Sequence, residues 1–394
     1  MKKLVLAYSG GLDTSYCLKK LSQEGHEVQA VTVNTGGFSA EEIEAMKVKA
    51  LQLGATHFEC IPAEDQFYKQ IIKYLIYGNV LRNNTYPLCV SAERIVQALA
   101  LVAYAKANKA DGIVHGSTGA GNDQVRFDMI FQIKAPEIPI ITPIRDGKLQ
   151  REEEIDYLKS QGVVMHWDKA TYSINKGLWG TSVGGKETLT ADQHLPEAAY
   201  PSPLSAMGSQ NLSIHFKQGE LVGINNQKGA PVTLIQSLQE IASKYAIGRD
   251  LNVGDTIVGI KGRVGFEAAA PLILIKAHHL LEKHTLSKWQ QFQKEQLSSF
   301  YGMQLHEGNY LDPVMRDIEQ FLSSSQKTVS GTVKVQLAPY RFELLGVKSK
   351  HDLMQSDFGQ YGEENTLWTA AEGKGFIKVQ ATAQKIYQHV NNKA

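Results

Sequence analysis

The sequence predicts an α/β protein with an N-terminal parallel-sheet domain, a second α+β domain and a C-terminal arm. Over the first 165 residues, short apolar runs alternate with segments of helical spacing. This alternation is typical of βαβ units and of a parallel sheet covered on both faces. From residue 211 onwards the pattern changes to paired strands and amphipathic helices. A chain of 394 residues is long enough for two domains, which we place at residues 1–165 and 166–370, with the arm at residues 371–394.

The elements of the first domain follow one another in a regular order. Five apolar runs are predicted to be strands: Lys3–Tyr8, Val28–Asn34, Thr56–Ile61, Gly112–His115 and Ile138–Pro143. Four segments with helical spacing are predicted to connect them: Asp13–Glu24, Ala40–Leu53, Asp65–Tyr77 and Ala92–Asn108. In parallel sheets, ligands bind beyond the carboxyl ends of the strands, near the point where the strand order reverses. A site is therefore expected in the loops that follow these strands.

The second domain begins with a hairpin pattern, because Leu212–Phe216 and Leu221–Ile224 flank a Lys-Gln-Gly-Glu turn. Further helices are predicted at Val232–Tyr245, Leu272–Phe300 and Leu311–Ser323, paired strands at Gly331–Leu345, and an arm or helix at Gly375–Val390. Gly180–Lys186 nearly matches a Walker loop, but Glu187 stands where Ser or Thr is required. The adjacent His278 and His279 point about 100° apart on a helix and cannot both bind one metal ion. Neither feature is predicted to be functional.

Composition and charge exclude several classes of protein. A formal net charge of +1 provides no general attraction to nucleic acids or acidic membranes. The chain shows no secretory apolar segment and no apolar run long enough to span a bilayer. Its three cysteines, Cys17, Cys60 and Cys89, are widely spaced, as expected in a reducing compartment without disulfides. We expect a cytoplasmic protein with no nucleic-acid partner and no membrane partner.

A glycine loop follows the first predicted strand. It comprises Ala7, Tyr8, Ser9, Gly10, Gly11, Leu12, Asp13, Thr14 and Ser15. The two glycines allow positive φ and a close approach of a ligand to the main chain, and the free N–H groups of the following helix attract an anion. Three hydroxyls add further donors, so a phosphate is the expected ligand. The alternative is that Asp13 or Thr14 merely caps the helix.

This loop resembles the pyrophosphate-binding loop of the ATP pyrophosphatases, which cleave ATP to AMP and diphosphate while they adenylate a substrate. A Walker loop is excluded here because no Gly-Lys-Ser/Thr follows. The glycines are too few for a dinucleotide-binding turn. The group includes amidating synthetases and tRNA-modifying enzymes, so the loop alone does not choose among them.

A second glycine-rich turn follows the fourth predicted strand, in the stretch Val114–Phe127. It leads directly into Asn122, Asp123 and Arg126, which lie close together on one face of a helix. An amide, a carboxylate and a guanidinium can together hold a zwitterionic ligand. Substrate binding is therefore favoured over the alternative that Asn122 and Asp123 cap the helix.

Two shorter features are compatible with the same edge of the sheet. Gly36-Gly37 follows the second predicted strand and could bring adenosine close to the main chain of Val33 or Asn34. Ser91 precedes the predicted helix Ala92–Asn108. By itself, Ser91 is interpreted more readily as a helix cap than as a binding residue.

The two glycine stretches together resemble the argininosuccinate synthases, which join citrulline to aspartate with ATP. The second motif, Gly-x-Thr-Gly-x-Gly-Asn-Asp-Gln-Val-Arg-Phe, carries most of this resemblance, and weaker similarity extends over most of the chain. It implies an adenine nucleotide α-hydrolase-like first domain, a synthetase domain and a homotetramer built with the C-terminal segment. It also implies a site of the following residues: ATP on Ala7–Ser15, Val33 and Gly116; citrulline on Tyr86, Ser91, Asn122, Arg126, Ser173 and Ser182; and aspartate on Thr118, Asn122 and Asp123.

The chain departs from the family pattern at three positions. Val33 replaces a usual Ala, Gly254 stands where a citrulline-contacting Glu is expected, and Phe266 stands where a Tyr is expected. Either a neighbour such as Asp255 compensates for the missing Glu, or the ligand differs slightly.

The resemblance implies that ATP, bound with Mg²⁺, transfers AMP to the ureido oxygen of citrulline, and that the aspartate amine then expels AMP. Catalysis would consist of positioning and charge stabilisation, with Asp123 and Arg126 as the central residues and no covalent nucleophile. No metal ligand of the protein itself is predicted, although Asp13 could assist the metal. Two rival functions are a tRNA-thiolating enzyme, which the near-neutral charge and isolated cysteines disfavour, and a non-catalytic adenine-nucleotide sensor.

Overall fold

The computed structural model describes residues 1–164, 172–355, 357–359, 361–362 and 367–392. The predicted boundary between residues 165 and 166 lies outside these ranges. The first part of the chain forms a five-stranded parallel sheet with the order β3-β2-β1-β4-β5. Its strands are β1 (Lys3–Ala7), β2 (Glu27–Asn34), β3 (His57–Pro62), β4 (Gly112–Val114) and β5 (Ile140–Ile141). The prediction of an N-terminal parallel sheet is confirmed.

Helices connect these strands and cover both faces of the sheet. They are α1 (Leu12–Gln23), α2 (Ala40–Leu53), α3 (Glu64–Phe67), α4 (Lys73–Tyr77), α5 (Cys89–Ala107), α6 (Asp123–Lys134), α7 (Pro143–Gly147) and α8 (Arg151–Ser160). Between α3 and α4 the backbone forms a π-helical stretch at Tyr68–Ile72, so the predicted helix Asp65–Tyr77 is continuous but irregular. Strand β5 is shorter than predicted, because Pro139 has no N–H for the ladder and Pro143 already begins α7.

Two antiparallel sheets build the rest of the structure. Their strands are β6 (Ser173–Gly177), β7 (Gly180–Gly184), β8 (Gln210–Lys217), β9 (Glu220–Ile224), β10 (Gln227–Lys228), β11 (Arg249–Asp255), β12 (Lys261–Glu267), β13 (Gly331–Ala338) and β14 (Arg341–Lys348). One sheet has the order β10-β9-β8-β13-β14 and the other the order β11-β12-β7-β6. The predicted hairpin β8–β9 and the predicted pair β13–β14 are both confirmed.

The helices of this second part are α9 (Pro231–Ser243), α10 (Ala269–Thr285), α11 (Lys288–His306), α12 (Pro313–Ser325), α13 (Ala370–Gln380) and α14 (Thr382–Asn391). Short 3₁₀ turns lie at Lys186–Leu189, Glu197–Ala199, Gln326–Thr328 and Leu353–Gln355. The helical spacing predicted over Leu272–Phe300 is divided between α10 and α11, because Ser287 caps a new helix by accepting a bond from the main-chain N–H of Gln290. None of the helices that the structure describes is long and apolar enough to cross a membrane.

The main core extends across both parts of the chain, from Val5 in β1 to Leu337 in β13. A buried polar network also joins them. Lys294 donates to the main-chain oxygen of Tyr77 at 2.7 Å and pairs with Glu282 at 2.8 Å. His278 takes part in the same network through Asn79 and Gln326. His278 is therefore a core histidine.

Candidate active site

The two glycine loops meet at the carboxyl edge of the parallel sheet. Strands β1 and β4 are neighbours, with Leu6 opposite Val114, so the loops that follow them leave the sheet side by side. A Cβ atom placed on Gly116 would lie 3.2 Å from the Cβ of Asp13. Because β1 and β4 are also the strands at which the order reverses, the loops lie where an α/β sheet binds its ligands. The predicted meeting of the loops is confirmed.

The first loop is shaped to leave the start of helix α1 open. Gly10 has φ +73°, a conformation that favours glycine, and its carbonyl accepts a bond from Lys49 Nζ at 2.6 Å. Ser15 is fully buried and donates to the Gly11 carbonyl at 2.7 Å. Gly11 is the N-cap and no side chain caps the helix. The alternative that Asp13 or Thr14 caps α1 is therefore wrong, and the first N–H groups remain available for an anion.

A cavity of about 1180 Å³ opens beside the two loops. Most of the residues predicted from the sequence line it: Ala7, Tyr8, Ser9, Gly11, Leu12, Asp13, Thr14, Val33, Tyr86, Ser91, Gly116, Thr118, Asn122, Asp123, Arg126, Ser173 and Ser182. Gly10 and Ser15 lie outside the lining and support the loop instead. Residues from distant parts of the sequence thus converge on one space.

Asp123 lies between two guanidinium groups in this cavity. Its Oδ1 accepts from Arg126 and its Oδ2 from Arg94, both at 2.9 Å. Although burial opposes ionisation, these two cations hold the pKa of Asp123 below its usual value. Arg94 was not predicted. It lies on α5, and only its position among apolar residues, next to Glu93, signals a buried role.

Arg126 and Asn122 also bind the second part of the chain. Arg126 is 4% exposed, and its Nε and Nη2 atoms donate to the main-chain oxygen of His306 at 3.0 and 2.9 Å. Asn122 Oδ1 accepts from the main-chain N–H of Ile257 at 2.8 Å. Asn122 occupies the N-cap position of α6, but its side chain does not cap the helix. The capping alternative for this segment is therefore wrong.

Ser91 lies inside the first turn of α5 and not in front of it, because the helix begins at Cys89 and Leu88 is the N-cap. The interpretation of Ser91 as a helix cap was wrong. Nearby, the buried carboxylate of Glu93 accepts from Thr35 at 2.8 Å and from Arg94 at 3.1 Å. Burial raises the pKa of Glu93 to about 7, against the opposing effect of Arg94.

A second carboxylate lies behind the phosphate-binding loop. Glu154, on α8, is 3% exposed and its Oε2 has no hydrogen-bond partner within the described residues. Burial and the neighbouring carboxylate of Asp13 raise the pKa of Glu154 to about 8. Burial also raises the pKa of Asp13. Asp13 and Glu154 therefore form an acidic pair whose pKa values favour a proton held between the two carboxyl groups, and a cation could take the place of that proton.

The antiparallel sheet β11-β12-β7-β6 forms another wall of the cavity. Ser182 lies opposite Phe266 and Asn175 in the strand pairing. Phe266 is fully buried and its ring packs against that of Tyr86 with centroids 5.3 Å apart. Because residue 266 is Phe where the family pattern has Tyr, it provides no hydroxyl to the site.

Asp255 lies at the end of β11, beside Gly254. Its carboxylate is paired with Lys261 Nζ at 2.6 Å and is 64% exposed. Asp255 also lines the cavity, so its compensation for the missing Glu stays a prediction.

Comparisons with known proteins agree along the whole chain. A family model described as "Arginosuccinate synthase N-terminal HUP domain" matches residues 3–164, and one described as "Arginosuccinate synthase C-terminal domain" matches residues 172–387. Proteins named argininosuccinate synthase are similar to it over almost their full length. The protein from Methanocaldococcus jannaschii is 36% identical over 98% of this chain and 97% of its own. Those from Dehalococcoides mccartyi and Lacticaseibacillus paracasei are each 34% identical, over 98% and 99% of this chain and 98% and 97% of their own. The chain belongs to the argininosuccinate synthase family.

Proposed function

We propose that this protein is an ATP-dependent carbon–nitrogen ligase that joins citrulline to aspartate and releases AMP and diphosphate. The family membership supports the reaction. The observation that carries the assignment of the site is the contact between the two glycine loops, because it brings an open helix N-terminus and the Asp123–Arg126 cluster to one cavity. A nucleotide sensor would not need that cluster.

ATP is assigned to the first loop, Ala7–Ser15, with Val33 and Gly116 beside it. The free N–H groups at the start of α1 would hold the diphosphate portion while negative charge moves onto it. Gly10 and Ser15 would act by shaping the loop, because neither lines the cavity. Gly116 would leave room for the nucleotide next to Asp13.

Citrulline is assigned to Tyr86, Ser91, Asn122, Arg126, Ser173 and Ser182, and aspartate to Thr118, Asn122 and Asp123. Arg126 suits a carboxylate because its guanidinium is held rigidly by the His306 carbonyl. Asp123 is ionised between its two arginines and suits an ammonium group. Arg94 would act as a positioning residue for Asp123.

The reaction follows from this arrangement in two steps. The ureido oxygen of citrulline attacks the α-phosphorus of ATP and diphosphate leaves. The deprotonated aspartate amine then attacks the ureido carbon, and AMP leaves with the former ureido oxygen. Positioning of this kind supplies about 7–11 kcal/mol when the geometry is right, so no covalent nucleophile is required.

Mg²⁺ is proposed to accompany ATP. The acidic pair Asp13–Glu154 fits this ion, because carboxylate oxygens are the ligands Mg²⁺ prefers and because Glu154 Oε2 has no hydrogen-bond partner among the described residues. Asp13 lines the cavity and would hold the ion, with Glu154 behind it. The ion would neutralise phosphate charge when it is bound.

We further propose a homotetramer in the cytoplasm, with domains at residues 1–165 and 166–370 and an arm at residues 371–394. In the described residues of α13 and α14 no side chain is buried. Their exposed apolar residues include Phe376, Ile377, Val379, Ile386, Tyr387 and Val390. Such a face is typical of a segment that packs on another copy.

Incubation of the protein with ATP, citrulline and aspartate tests the proposal. We expect AMP, diphosphate and argininosuccinate in equal amounts, with none formed when aspartate and citrulline are both omitted. AMP release that depends on tRNA would favour a thiolating enzyme. ATP binding without turnover under all conditions would favour a sensor. Either of these results would overturn the proposed function.

A further inference from the structure

The cavity wall formed by β11, β12 and β7 contains a small recess whose own positions carry no charged side chain. We define this glycine recess as Gly184, Asn252, Gly254, Gly262 and Val264. The strand pairing places Val264 opposite Asn252, and Gly262 opposite Gly254. The pairing of Gly265 with Val183 places Val264 beside Gly184. Since side chains alternate between the two faces of a strand, all five positions share the cavity face with Ser182.

Three of the five positions, Gly184, Gly254 and Gly262, have no side chain, and the last two line the cavity. Among the described residues, a Cβ atom on Gly184 would meet the Cβ of Ser173 alone, at 3.9 Å. A Cβ on Gly254 would lie 3.0 Å from the end of the Asn83 side chain and 3.8 Å from a guanidinium nitrogen of Arg82. One on Gly262 would lie 3.3 Å from a methyl group of Thr256. The isopropyl group of Val264 is the apolar floor of this space.

Asn252 is the polar group of the recess, and its side chain has no hydrogen-bond partner among the residues that the structure describes. It lines the cavity and is 9% exposed. Its Oδ1 is buried without a hydrogen bond, and its amide nitrogen forms none with the residues that the structure describes. An amide left unpaired in this way destabilises the unliganded protein. A ligand that pairs with this amide would remove that destabilisation.

The charge of the recess selects the kind of ligand. A substrate ammonium group requires a carboxylate or several strong acceptors once it leaves water. Position 254 has no side chain and Asp255 is already paired with Lys261. A neutral amide on the ligand, in contrast, offers an N–H and a carbonyl that match both halves of a carboxamide. A small acyl group attached to it would pack on Val264.

We propose that Asn252 is a specificity-determining residue and that the glycine recess binds an acylated α-nitrogen. The protein then accepts Nα-acylated citrulline at least as well as citrulline and forms the corresponding Nα-acyl argininosuccinate. The ureido group and the aspartate react unchanged, so this inference rests on the proposed function and extends it to a class of substrate.

The test compares kcat/KM for Nα-acetylcitrulline with kcat/KM for citrulline, at saturating ATP and aspartate. We expect the ratio to be one or higher in the unmodified protein. Asn252→Asp and Gly254→Glu each place a carboxylate in the recess. Each should lower the ratio at least tenfold, because the carboxylate weakens binding of the acylated substrate and strengthens binding of free citrulline. Asn175→Asp is the matched control. It introduces the same charge at the same cavity but outside the recess, and should leave the ratio within twofold.

The measurement on the unmodified protein needs no variant, so a variant that fails to fold does not prevent a decision. A ratio below one in the unmodified protein would overturn the inference, and so would a ratio that Asn252→Asp and Gly254→Glu leave unchanged. Both of these results leave the ligase function standing. If neither ureido compound supports formation of AMP and diphosphate with aspartate, the proposed function itself fails.

Discussion

Replacement of Asp123 by Asn should affect the two steps of the proposed reaction to different extents. It is therefore the sharpest test of the site. The carboxylate accepts one bond from Arg94 and one from Arg126, each at 2.9 Å. Asn has nearly the same shape but only one oxygen, so its NH₂ group must face one of the two guanidiniums. One charge-assisted bond is lost, which is worth about 1.5–3 kcal/mol. Since both arginines shape the cavity, this loss affects both steps.

The second step loses a further interaction, because the aspartate ammonium group no longer meets a carboxylate. If that pair also contributes about 1.5–3 kcal/mol, the total loss is about 3–6 kcal/mol, or roughly 10²–10⁴-fold in rate. The adenylation step should fall only about 10–100-fold. Arg126 should keep its place during both steps, because two of its three bonds go to the His306 carbonyl.

The assay measures the two steps separately. ATP–diphosphate exchange in the presence of citrulline and without aspartate reports adenylation, and formation of argininosuccinate reports the complete reaction. Asp128→Asn is the matched control, because Asp128 lies on the same helix, accepts from His115 and Arg145 at 2.8 and 2.7 Å, and does not line the cavity. It should reduce both activities by the same factor. An equal loss of both activities in Asp123→Asn would refute the assignment of Asp123 to aspartate.

Three further predictions concern the nucleotide loop, the acidic pair and the arm. Gly116→Ala puts a methyl group 3.2 Å from the Cβ of Asp13 and should raise the KM for ATP about tenfold, a cost of about 1.4 kcal/mol; an unchanged KM in steady-state kinetics would contradict the proximity argument. The native Glu154 binds a proton up to a pKa of about 8, whereas the unfolded chain releases it at lower pH, so stability should fall as pH rises from about 5 to about 8. Glu154→Gln should therefore lose less thermal stability than the unmodified protein between pH 6 and pH 9, and parallel curves would exclude the effect. Deletion of the arm, residues 371–394, should leave the circular dichroism signal of the remaining chain intact and reduce the sedimentation coefficient. An unchanged coefficient would show that the arm does not hold copies together.

The sequence predicts the parallel-sheet part well because its strands and helices carry strong local patterns. The bounds of β2 and α2 agree with the prediction to within one residue. The start of α5 could not be predicted, since Leu88 adopts φ +62° and leucine carries no preference for that conformation. The separation of α10 from α11 was predictable in principle, because Ser287 and Gln290 form a capping box that is visible in the sequence.

Some residues of the candidate site could be predicted from local sequence motifs, whereas others are brought to the site by contacts between distant parts of the chain. The loop Ala7–Ser15 and the cluster at Asn122 are contiguous motifs, so residue types alone indicated them. Arg94 reaches Asp123 across 29 positions in the sequence, and only the packing of α5 against α6 brings the two together. Arg126 donates to the main-chain oxygen of His306. Every residue has such an oxygen, so the residue type at position 306 could not indicate this contact.

These distant contacts connect the first turn of α6, in the first part of the chain, to elements of the second part. Asn122 receives the main-chain N–H of Ile257 and Arg126 binds the His306 carbonyl, so the beginning of α6 is fixed by elements that follow it by more than 130 positions. The guanidinium of Arg126 is 4% exposed and would be costly to bury without those partners. The first domain alone would therefore carry the glycine loops but not a correctly held Arg126. It follows that the amino-acid pocket forms only when both parts of the chain are folded against each other, whereas the nucleotide loop, held by Lys49 and Ser15 within the first domain, does not depend on the second.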